Sequence, residues 1–476
     1  MLETIEHRAD LVPTGNSVIP RIPGHWGIRT MRSLITARSG RNRTDLPLLS
    51  VARERGVFVR SPDDDNHNVI PTDLSNYKAA RKGDLIINKM KAWQGSLGLA
   101  PEDGIVSPAY YVYDFAIENR FYGQALLRSR PYVALLGAAS DGVRIGQWDL
   151  SITRFRELPV LVPPPEEQAA IVKYLRHADA RIDRAIAAKR FLVALLEEQK
   201  QAITDEALTR GLDPTLQLKY SGVPWLGEIP EGWRVRRLKW LVSAGPTNGV
   251  SPSVTESGDL ETFSLSAIRD GRLDVQESDK KYVSRDAVAR AGDYQLRAGD
   301  VVLIRGNGNL HLVGRAAEVT SDRPDSIYPD LIIRLRPRSG VNSTFLVMAI
   351  NSFATRQQVE AAARTAVGTF KINGETVKNL QLALPPLAEQ IAIVENCNIR
   401  TRAIRASIQT AGREIELLRE FRTRLTSDVV TGQIDVRAIA ETLPEFVDQV
   451  LAAASADQLV NDEWIESELE YVGTDD

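Results

Sequence analysis

The sequence predicts an α+β fold in which two globular domains, in a pseudo-twofold arrangement, are separated by two long helices that pair as an antiparallel coiled coil. A helix-forming segment occurs twice at a constant offset, and each copy follows a stretch of short strands and helices. With 476 residues, the chain is also too long for a single hydrophobic core and is expected to divide into domains.

The repeated segment begins at a pair of prolines. PPPEEQAAIV from Pro163 returns as PPLAEQIAIV from Pro385, an offset of 222 residues that holds without a gap for about fifty residues. The preceding regions match at shifting offsets, because RIPGHWGIRTMRSLI parallels EIPEGWRVRRLKWLV and places Trp26 opposite Trp233. The chain therefore reads as globular domain, helix, globular domain, helix.

Each copy of the repeat has the pattern of a coiled-coil helix. Prolines cannot lie in a helix interior, and the glutamates that follow them fall in a first turn, where the helix dipole favours negative charge. Apolar residues then recur every three or four positions. The predicted seam consists of Ile171, Leu175, Ala178, Ile182, Ala185, Lys189, Leu192, Leu196, Gln199 and Ile203, and of Ile393, Cys397, Arg400, Ile404, Ala411, Glu414, Leu418, Phe421 and Leu425. Because both seams contain polar residues, each helix is expected to pair with the other copy, antiparallel.

Helices of this length are suited to holding two domains apart. About 40 residues form a rod of about 60 Å, and duplex DNA rises about 3.4 Å per base pair, so such a rod spans more than one turn of a duplex. The alternative is that the helices are ordinary core or dimerisation elements. The predicted segments are a first domain (1–160), a first long helix (161–213), a second domain (214–382), a second long helix (383–437) and an acidic tail (438–476).

The charge distribution favours an anionic partner more than the net charge of −3 indicates. The tail after Arg437 contains 11 Asp and Glu residues and no Lys or Arg, so residues 1–437 carry 59 basic against 51 acidic side chains, a net charge of +8. The tail itself is interpreted as a solvated extension. No segment is apolar enough to span a membrane, and the single cysteine, Cys397, excludes an internal disulfide, so a cytoplasmic protein is expected.

Polar and aromatic residues cluster in glycine-containing loops that follow predicted strands. The candidate DNA-binding residues are Lys89, Lys91, Trp93, Gln94, Ser96, Arg144 and Gln147 in the first domain, and Arg305, Asn307, Asn309, His311, Arg364, Thr369 and Lys371 in the second. Cationic side chains suit phosphate or guanine acceptors, and amides can pair with adenine. The alternative is that these are surface loops with ordinary turn chemistry.

The doubled motif resembles a known family. Two copies of Pro-Pro-x-x-Glu-Gln-x-x-Ile-Val, each preceded by a divergent domain with Gly-Asp-apolar strands, are similar to the specificity subunits of Type I restriction-modification systems. GIVSPAY from Gly104 and RGNGN from Arg305 add to the likeness, which covers the chain to about Arg437.

The resemblance implies a division of labour among chains. Each globular domain would be a target-recognition domain that reads one half of a bipartite double-stranded DNA site, while the helices set the gap and dock two methyltransferase (modification) subunits. Restriction and translocase subunits complete such a complex. S-adenosylmethionine, ATP and Mg are then expected on the partner chains, with no cofactor in this one.

Catalytic motifs are absent from the sequence, which agrees with a non-catalytic subunit. We find no phosphate-binding Gly-x-x-x-x-Gly-Lys-Ser/Thr loop, no Asn-Pro-Pro-aromatic motif and no metal-ligand spacing among the five histidines. Two other classes of function stay open at this point: a coiled-coil protein–protein adaptor without DNA binding, and a tandem-domain nuclease.

Overall fold

The computed structural model describes residues 8–60, 73–142, 148–255, 257–288, 291–366 and 368–445. Their contacts divide the chain into two compact units. Unit 1 contains residues 8–188 and 414–445, and unit 2 contains residues 189–413. Each unit holds one α+β fold and part of both long helices, so the predicted mixed fold class is confirmed.

Two helices are far longer than the others. The helices are α1 (Arg120–Arg128), α2 (Arg130–Ala138), α3 (Ile152–Glu157), α4 (Pro165–Arg210), α5 (Ser343–Asn351), α6 (Phe353–Ala362), α7 (Gly374–Asn379), α8 (Leu387–Val430) and α9 (Arg437–Thr442). The repeated prolines directly precede α4 and α8, because a proline is tolerated at a helix start and excluded from the interior. These two helices contain 46 and 44 residues.

Unit 1 is built on a four-stranded antiparallel sheet of order β4-β11-β8-β9. Its strands are β1 (Leu11–Pro13), β2 (Arg21–Pro23), β3 (Gly27–Thr30), β4 (Ile35–Ala37), β5 (Leu49–Ala52), β6 (Gly56–Val59), β7 (Lys78–Ala80), β8 (Leu85–Asn88), β9 (Leu97–Leu99), β10 (Gly104–Val106), β11 (Tyr110–Phe115), β12 (Ser140–Asp141), β13 (Asp149–Leu150) and β14 (Pro159–Val162). Leu85 and Ile87 pack in the core that includes α1 and α2, whereas Ile86 packs in a second core on the opposite face. Burial on both faces explains why Leu85, Ile86 and Ile87 of β8 are all apolar.

Unit 2 contains the same four-strand arrangement with two strands added. Its strands are β15 (Leu218–Tyr220), β16 (Glu228–Pro230), β17 (Arg234–Arg237), β18 (Val242–Asn248), β19 (Leu260–Phe263), β20 (Ile268–Arg269), β21 (Arg272–Leu273), β22 (Lys280–Val283), β23 (Val301–Ile304), β24 (Gly306–Asn307), β25 (Ala316–Glu318), β26 (Ile332–Pro337), β27 (Arg364–Ala366), β28 (Thr369–Lys371) and β29 (Gln381–Leu384). The sheet order is β18-β26-β23-β25-β21-β20, and its first four strands correspond to β4-β11-β8-β9. The β20–β21 hairpin extends this sheet in unit 2, whereas the β5–β6 hairpin of unit 1 forms a separate two-stranded sheet.

The core of each unit is closed by the end of a long helix. In unit 1, Trp26 packs with Val429 and Val430 from the end of α8, and the Tyr122 hydroxyl donates a hydrogen bond to the Val430 carbonyl at 3.2 Å. In unit 2, Trp233 packs with Leu208 from the end of α4. The first globular fold is therefore completed by the last part of the chain.

The long helices pair antiparallel, as predicted, and this is observed within each unit. In unit 2, Leu208 near the end of α4 shares a core with Ile393 near the start of α8. In unit 1, Arg422 near the end of α8 forms ion pairs with Asp179 and Asp183 in the first half of α4.

The predicted seam is wrong at several positions, on both helices. Leu192 is 47% exposed, and the buried residue is its neighbour Val193. On α8, Arg400 and Glu414 lie outside the seam, and the buried residues there are Thr401 and Ile415. The buried residues Cys397, Thr401, Ile404, Ile408, Ala411 and Ile415 still alternate by four and three residues, so the heptad spacing holds and the error lies in the order of the steps.

The Glu-Gln of the repeat joins each long helix to the fold that precedes it. The Gln168 carboxamide oxygen accepts a hydrogen bond from the backbone N–H of Asn119, the N-cap of α1, at 2.9 Å. Gln390 makes the equivalent bond with Asn342, the N-cap of α5, also at 2.9 Å. Both glutamines are 1% exposed, so these bonds are shielded from water.

The repeated Gly-Asp also has a structural role. Asp84 accepts a hydrogen bond from the Arg81 backbone N–H, forms an ion pair with Arg38, and is fully buried. In unit 2, Asp300 is 1% exposed and accepts hydrogen bonds from Nε and Nη2 of Arg336, at 2.6 and 2.8 Å. The pairing raises the pKa of both arginines. This Gly-Asp turn therefore fixes the start of the central strand in each unit.

Candidate nucleic-acid interface

In unit 1 the first candidate loop connects β8 with β9. The Asn88 carboxamide oxygen accepts a hydrogen bond from the Met90 backbone N–H, and a short 3₁₀ turn, Ala92–Gln94, follows. That turn ends at Gly95, whose φ of 84° is readily adopted only by glycine. The loop is thereby held in one shape directly after the central strand.

The second candidate loop of unit 1 lies against the first. The Trp93 and Trp148 rings have centroids 5.3 Å apart, and the Lys89 ammonium is 2.7 Å from the Asp149 carboxylate. The Leu150 backbone N–H donates to the Lys89 carbonyl at 3.0 Å. The hydrogen bond to Asp149 raises the pKa of Lys89. Two loops about sixty residues apart in sequence thus form one surface.

The candidates in this surface differ in accessibility. Lys91 is exposed, Gln94 is half-buried, and Ser96 is only 1% exposed. Arg144 and Gln147 lie outside the described residues. Lys91 and Gln94 are therefore the described side chains that can reach another molecule without first breaking an ion pair.

In unit 2 the two candidate loops form a three-stranded sheet of order β24-β28-β27. Gly306 lies opposite Lys371, and Arg364 pairs with Lys371 from the other side. A Cβ atom on Gly306 would come within 2.9 Å of the Lys371 side chain, so a larger residue would push these strands apart. Arg364 and Lys371 are exposed, and Thr369 is half-buried.

The remaining candidates of unit 2 are held by local hydrogen bonds. The Asn307 side-chain oxygen accepts from the Asn309 backbone N–H at 2.8 Å, and the Asn309 side-chain oxygen accepts from the His311 N–H at 2.9 Å. Arg305 is half-buried, and its guanidinium donates to the Asp330 carbonyl at 3.4 Å. His311 is exposed, with its ring 3.6 Å from the Glu360 carboxylate.

The two surfaces occupy equivalent places in the two folds. In each unit the first loop follows the central strand, β8 or β23, and the second loop precedes a short helix, α3 or α7, that leads towards the long helix. The sequence did not identify the acidic partners Asp149 and Glu360. Their pairing with residues tens of positions away carries no local sequence signal.

Neither a metal cluster nor a membrane helix is found where the structure is described. Within the described ranges, no three His, Cys, Asp or Glu side chains are grouped so that they could hold a metal ion. Likewise, no described helix combines the length and apolar character required to cross a bilayer. Chemically, the two surfaces offer cations, amides and aromatic rings, which suit binding more than bond cleavage.

Comparison with known proteins agrees with this architecture. No family model matches the chain. It is 24% identical over 365 residues to the Type I restriction enzyme StySPI specificity subunit of Salmonella potsdam, covering 72% of this chain and 73% of that protein. It is 22% identical over 363 residues to the EcoKI specificity subunit of Escherichia coli K12, covering 71% and 73%.

A solved structure shares the fold. It is a chain from a study of complex assembly and conformational transition in the type I R-M system, with a TM-score of 0.57 and 16% identity over 87% of this chain and 99% of that one. The fold places this chain in a class of proteins that contain two related α+β folds and two long helices. The resemblance found in the sequence is confirmed, since both relatives are specificity subunits of Type I restriction enzymes.

Proposed function

We propose that this chain is the DNA sequence-specificity subunit of a Type I restriction-modification complex. Each unit reads one half of a bipartite double-stranded site through its paired loops, and the long helices set the gap between the halves. The carrying observation is that both units bring two candidate loops together at equivalent positions. A single surface of this kind could consist of ordinary surface turns. Two such surfaces at matching positions favour a shared role in reading DNA.

The long helices also offer surface for partner subunits. On α4, Phe191 and Leu195 are 65% and 47% exposed, and on α8 Ile399 and Leu417 are 76% and 63% exposed. Exposed apolar side chains of this size favour contact with another protein. We assign this role to two methyltransferase subunits, with restriction and translocase subunits joining the complex.

Catalysis is assigned to the partner chains. S-adenosylmethionine, ATP and Mg would be bound there, and this chain would contribute sequence selection. Basic and amide side chains dominate the two surfaces, which supports binding of DNA rather than cleavage of it. The names of the relatives also favour a specificity role over a coiled-coil adaptor.

The proposal is tested by binding of the full chain, alone and with its modification partner, to duplexes that carry the site mapped from methylated adenines in the source genome. We expect sequence-selective binding that weakens steeply as salt rises. An adaptor would show neither sequence preference nor salt dependence. Cleavage of plasmid DNA by the purified chain with divalent metal would instead support the nuclease alternative.

A further inference from the structure

A second basic surface lies in unit 2, outside the candidate loops. Strand β17 and the turn that follows it place four cations within six positions: Arg234, Arg236, Arg237 and Lys239. All four are exposed. Trp240, next in the chain, is 59% exposed, and its ring lies 5.2 Å from the Lys239 ammonium. We call these five residues the basic strip.

Carboxylates do not neutralise this strip. Within the described part of the chain, Arg234, Arg236 and Lys239 form no ion pair with an Asp or Glu, and the Arg237 guanidinium reaches only the Asn379 amide, at 3.5 Å. Elsewhere in unit 2, by contrast, the exposed Arg285 forms ion pairs with two aspartates. Clustered cations repel one another, so a strip whose cations are not paired with carboxylates is stabilised when an anion binds to it.

An open cleft lies beside the strip. It has a volume of about 370 Å³ and is lined by residues that include Lys219, Tyr220, Arg234 and Arg236. Tyr220, from strand β15, is 65% exposed. Guanidinium groups beside a phenol hydroxyl can give several charge-assisted hydrogen bonds to phosphate oxygens.

The fold itself does not require these cations. Unit 1 builds the same hairpin and strand from β1, β2 and β3, in which Val12 and Pro13 stand where unit 2 has Lys219 and Tyr220. Gly27 and Thr30 stand in the places of Arg234 and Arg237, whereas Arg29 and Arg32 match Arg236 and Lys239. Since unit 1 forms the same local structure without a cation at the places of Lys219, Arg234 and Arg237, folding does not explain the additional charge of unit 2.

We propose that the basic strip contacts the phosphate backbone of the DNA bound by unit 2. This inference rests on the proposed function and extends it to residues outside the reading loops. Arg234 and Arg236 are two residues apart on one strand, so their side chains leave the same face about 7 Å apart. A row of cations that form no ion pairs within the described chain fits a regular polyanion better than a folded protein surface. Such contacts position the duplex and carry no sequence information.

The test is the salt dependence of binding by the full chain to a labelled duplex of mixed sequence, about 40 base pairs long, for R234Q/R236Q. Each phosphate that is no longer neutralised should make the slope of log affinity against log salt shallower by about 0.9, so the double variant should change it by about 1.8. The matched control is R285Q/R323Q, two substitutions in unit 2 that remove the same charge from arginines already paired with acidic side chains. Its slope should not change.

An unchanged slope in R234Q/R236Q, with binding otherwise intact, would overturn the inference and leave the proposed function standing. Loss of assembly with the modification partner at unchanged slope would also overturn it, because the strip would then be a protein contact. If the wild-type chain did not bind DNA, both this inference and the proposed function would be wrong. A duplex that carries the mapped site distinguishes phosphate contact from base reading. If the strip contacts only phosphates, R234Q/R236Q should weaken binding to this duplex and to the mixed-sequence duplex by the same factor.

Discussion

At the scale of single residues, buried polar groups fix the geometry of each unit. Gln168 and Gln390 tie the long helices to N-cap asparagines of the preceding folds, and Asp84 and Asp300 anchor the central strands. Each of these side chains is almost fully buried. If one partner of a hydrogen bond is removed, water cannot take its place, and the other partner is left without a hydrogen bond. These residues are therefore expected to carry more stability than exposed polar residues of the same type.

Gln390→Ala should destabilise unit 2 by about 1–3 kcal/mol, because the Asn342 backbone N–H and the Pro385 carbonyl lose their partner in a buried site. The free energy of unfolding in urea measures this loss. Gln199→Ala is the matched control, since Gln199 is exposed on α4. Equal stability of the two variants would contradict the assigned role.

Asp279 predicts a pH dependence in unit 2. Burial acts to raise the pKa of Asp279, but hydrogen bonds from Arg269 and Ser266 outweigh it and hold the pKa below its ordinary value. A carboxyl with a lowered folded-state pKa stabilises the protein above its unfolded-state pKa, and the stability is lost as pH falls through the folded-state value.

Asp279→Asn should therefore destabilise unit 2 near neutral pH by about 3 kcal/mol, because the buried Arg269 loses its counter-charge. The difference from wild type should shrink as pH falls below about 4. Unfolding measured between acidic and neutral pH checks both expectations. Asp286→Asn, at an exposed position of the same unit, is the control. A difference that stays constant with pH would contradict the account.

At the scale of elements, we assign the reading of bases to the paired loops of each unit. Trp93 packs on Trp148 and so shapes the surface, whereas Lys91 is exposed and Gln94 half-exposed. In unit 2, Gly306 allows the close approach of β24 and β28 that presents Asn307 and Lys371. Substitutions can therefore distinguish residues that shape the loops, such as Trp93 and Gly306, from residues proposed to contact bases, such as Lys91 and Asn307.

Lys91→Ala with Gln94→Ala should reduce selectivity at one half-site by about 1–3 kcal/mol for each base that the loop no longer reads, and leave the other half-site unaffected. Competition binding against duplexes altered in one half at a time measures this. Asn307→Ala with Lys371→Ala should give the complementary result. If either variant weakened selectivity at both half-sites equally, the assignment of one half-site to each unit would be wrong.

Sequence patterns predicted the long elements better than the short contacts. The proline pairs and 3.6-residue periodicity located both long helices, because these signals are local. The seam was misplaced at Leu192, Arg400 and Glu414, because steps of three and four residues can be ordered in two ways and only burial distinguishes them. The meeting of Lys89 with Asp149 and the ion pair of Asp300 with Arg336 could not be predicted, because tertiary packing brings distant positions together.

At the scale of the whole molecule, the last described part of the chain completes the first fold. Val429, Val430, Ile434 and Val436 lie in the same core as Trp26. Burial of a Val or Ile side chain contributes about 1.5–3 kcal/mol, so the four residues together contribute several kcal/mol. The stability of unit 1 therefore depends on residues more than 400 positions from its beginning.

A chain that ends after Ser427 should lose the fold of unit 1 and keep that of unit 2, whose described hydrophobic clusters contain no residue after Ala411. Hydrogen exchange resolved by peptide would show unprotected amides in β8 and β11 and protected amides in β23 and β26. A chain that ends after Glu445 serves as the control and should protect both units. Protection of β8 in the shorter chain would refute the dependence.

The central claim is that two units of one chain each read half of a split DNA site. Its most direct measurement is selection of bound duplexes from a randomised pool by the full chain with its modification partner. The account predicts two short specified sequences separated by an unspecified gap of constant length. Recovery of one uninterrupted sequence, of two sequences with a variable gap, or of no preferred sequence would contradict it.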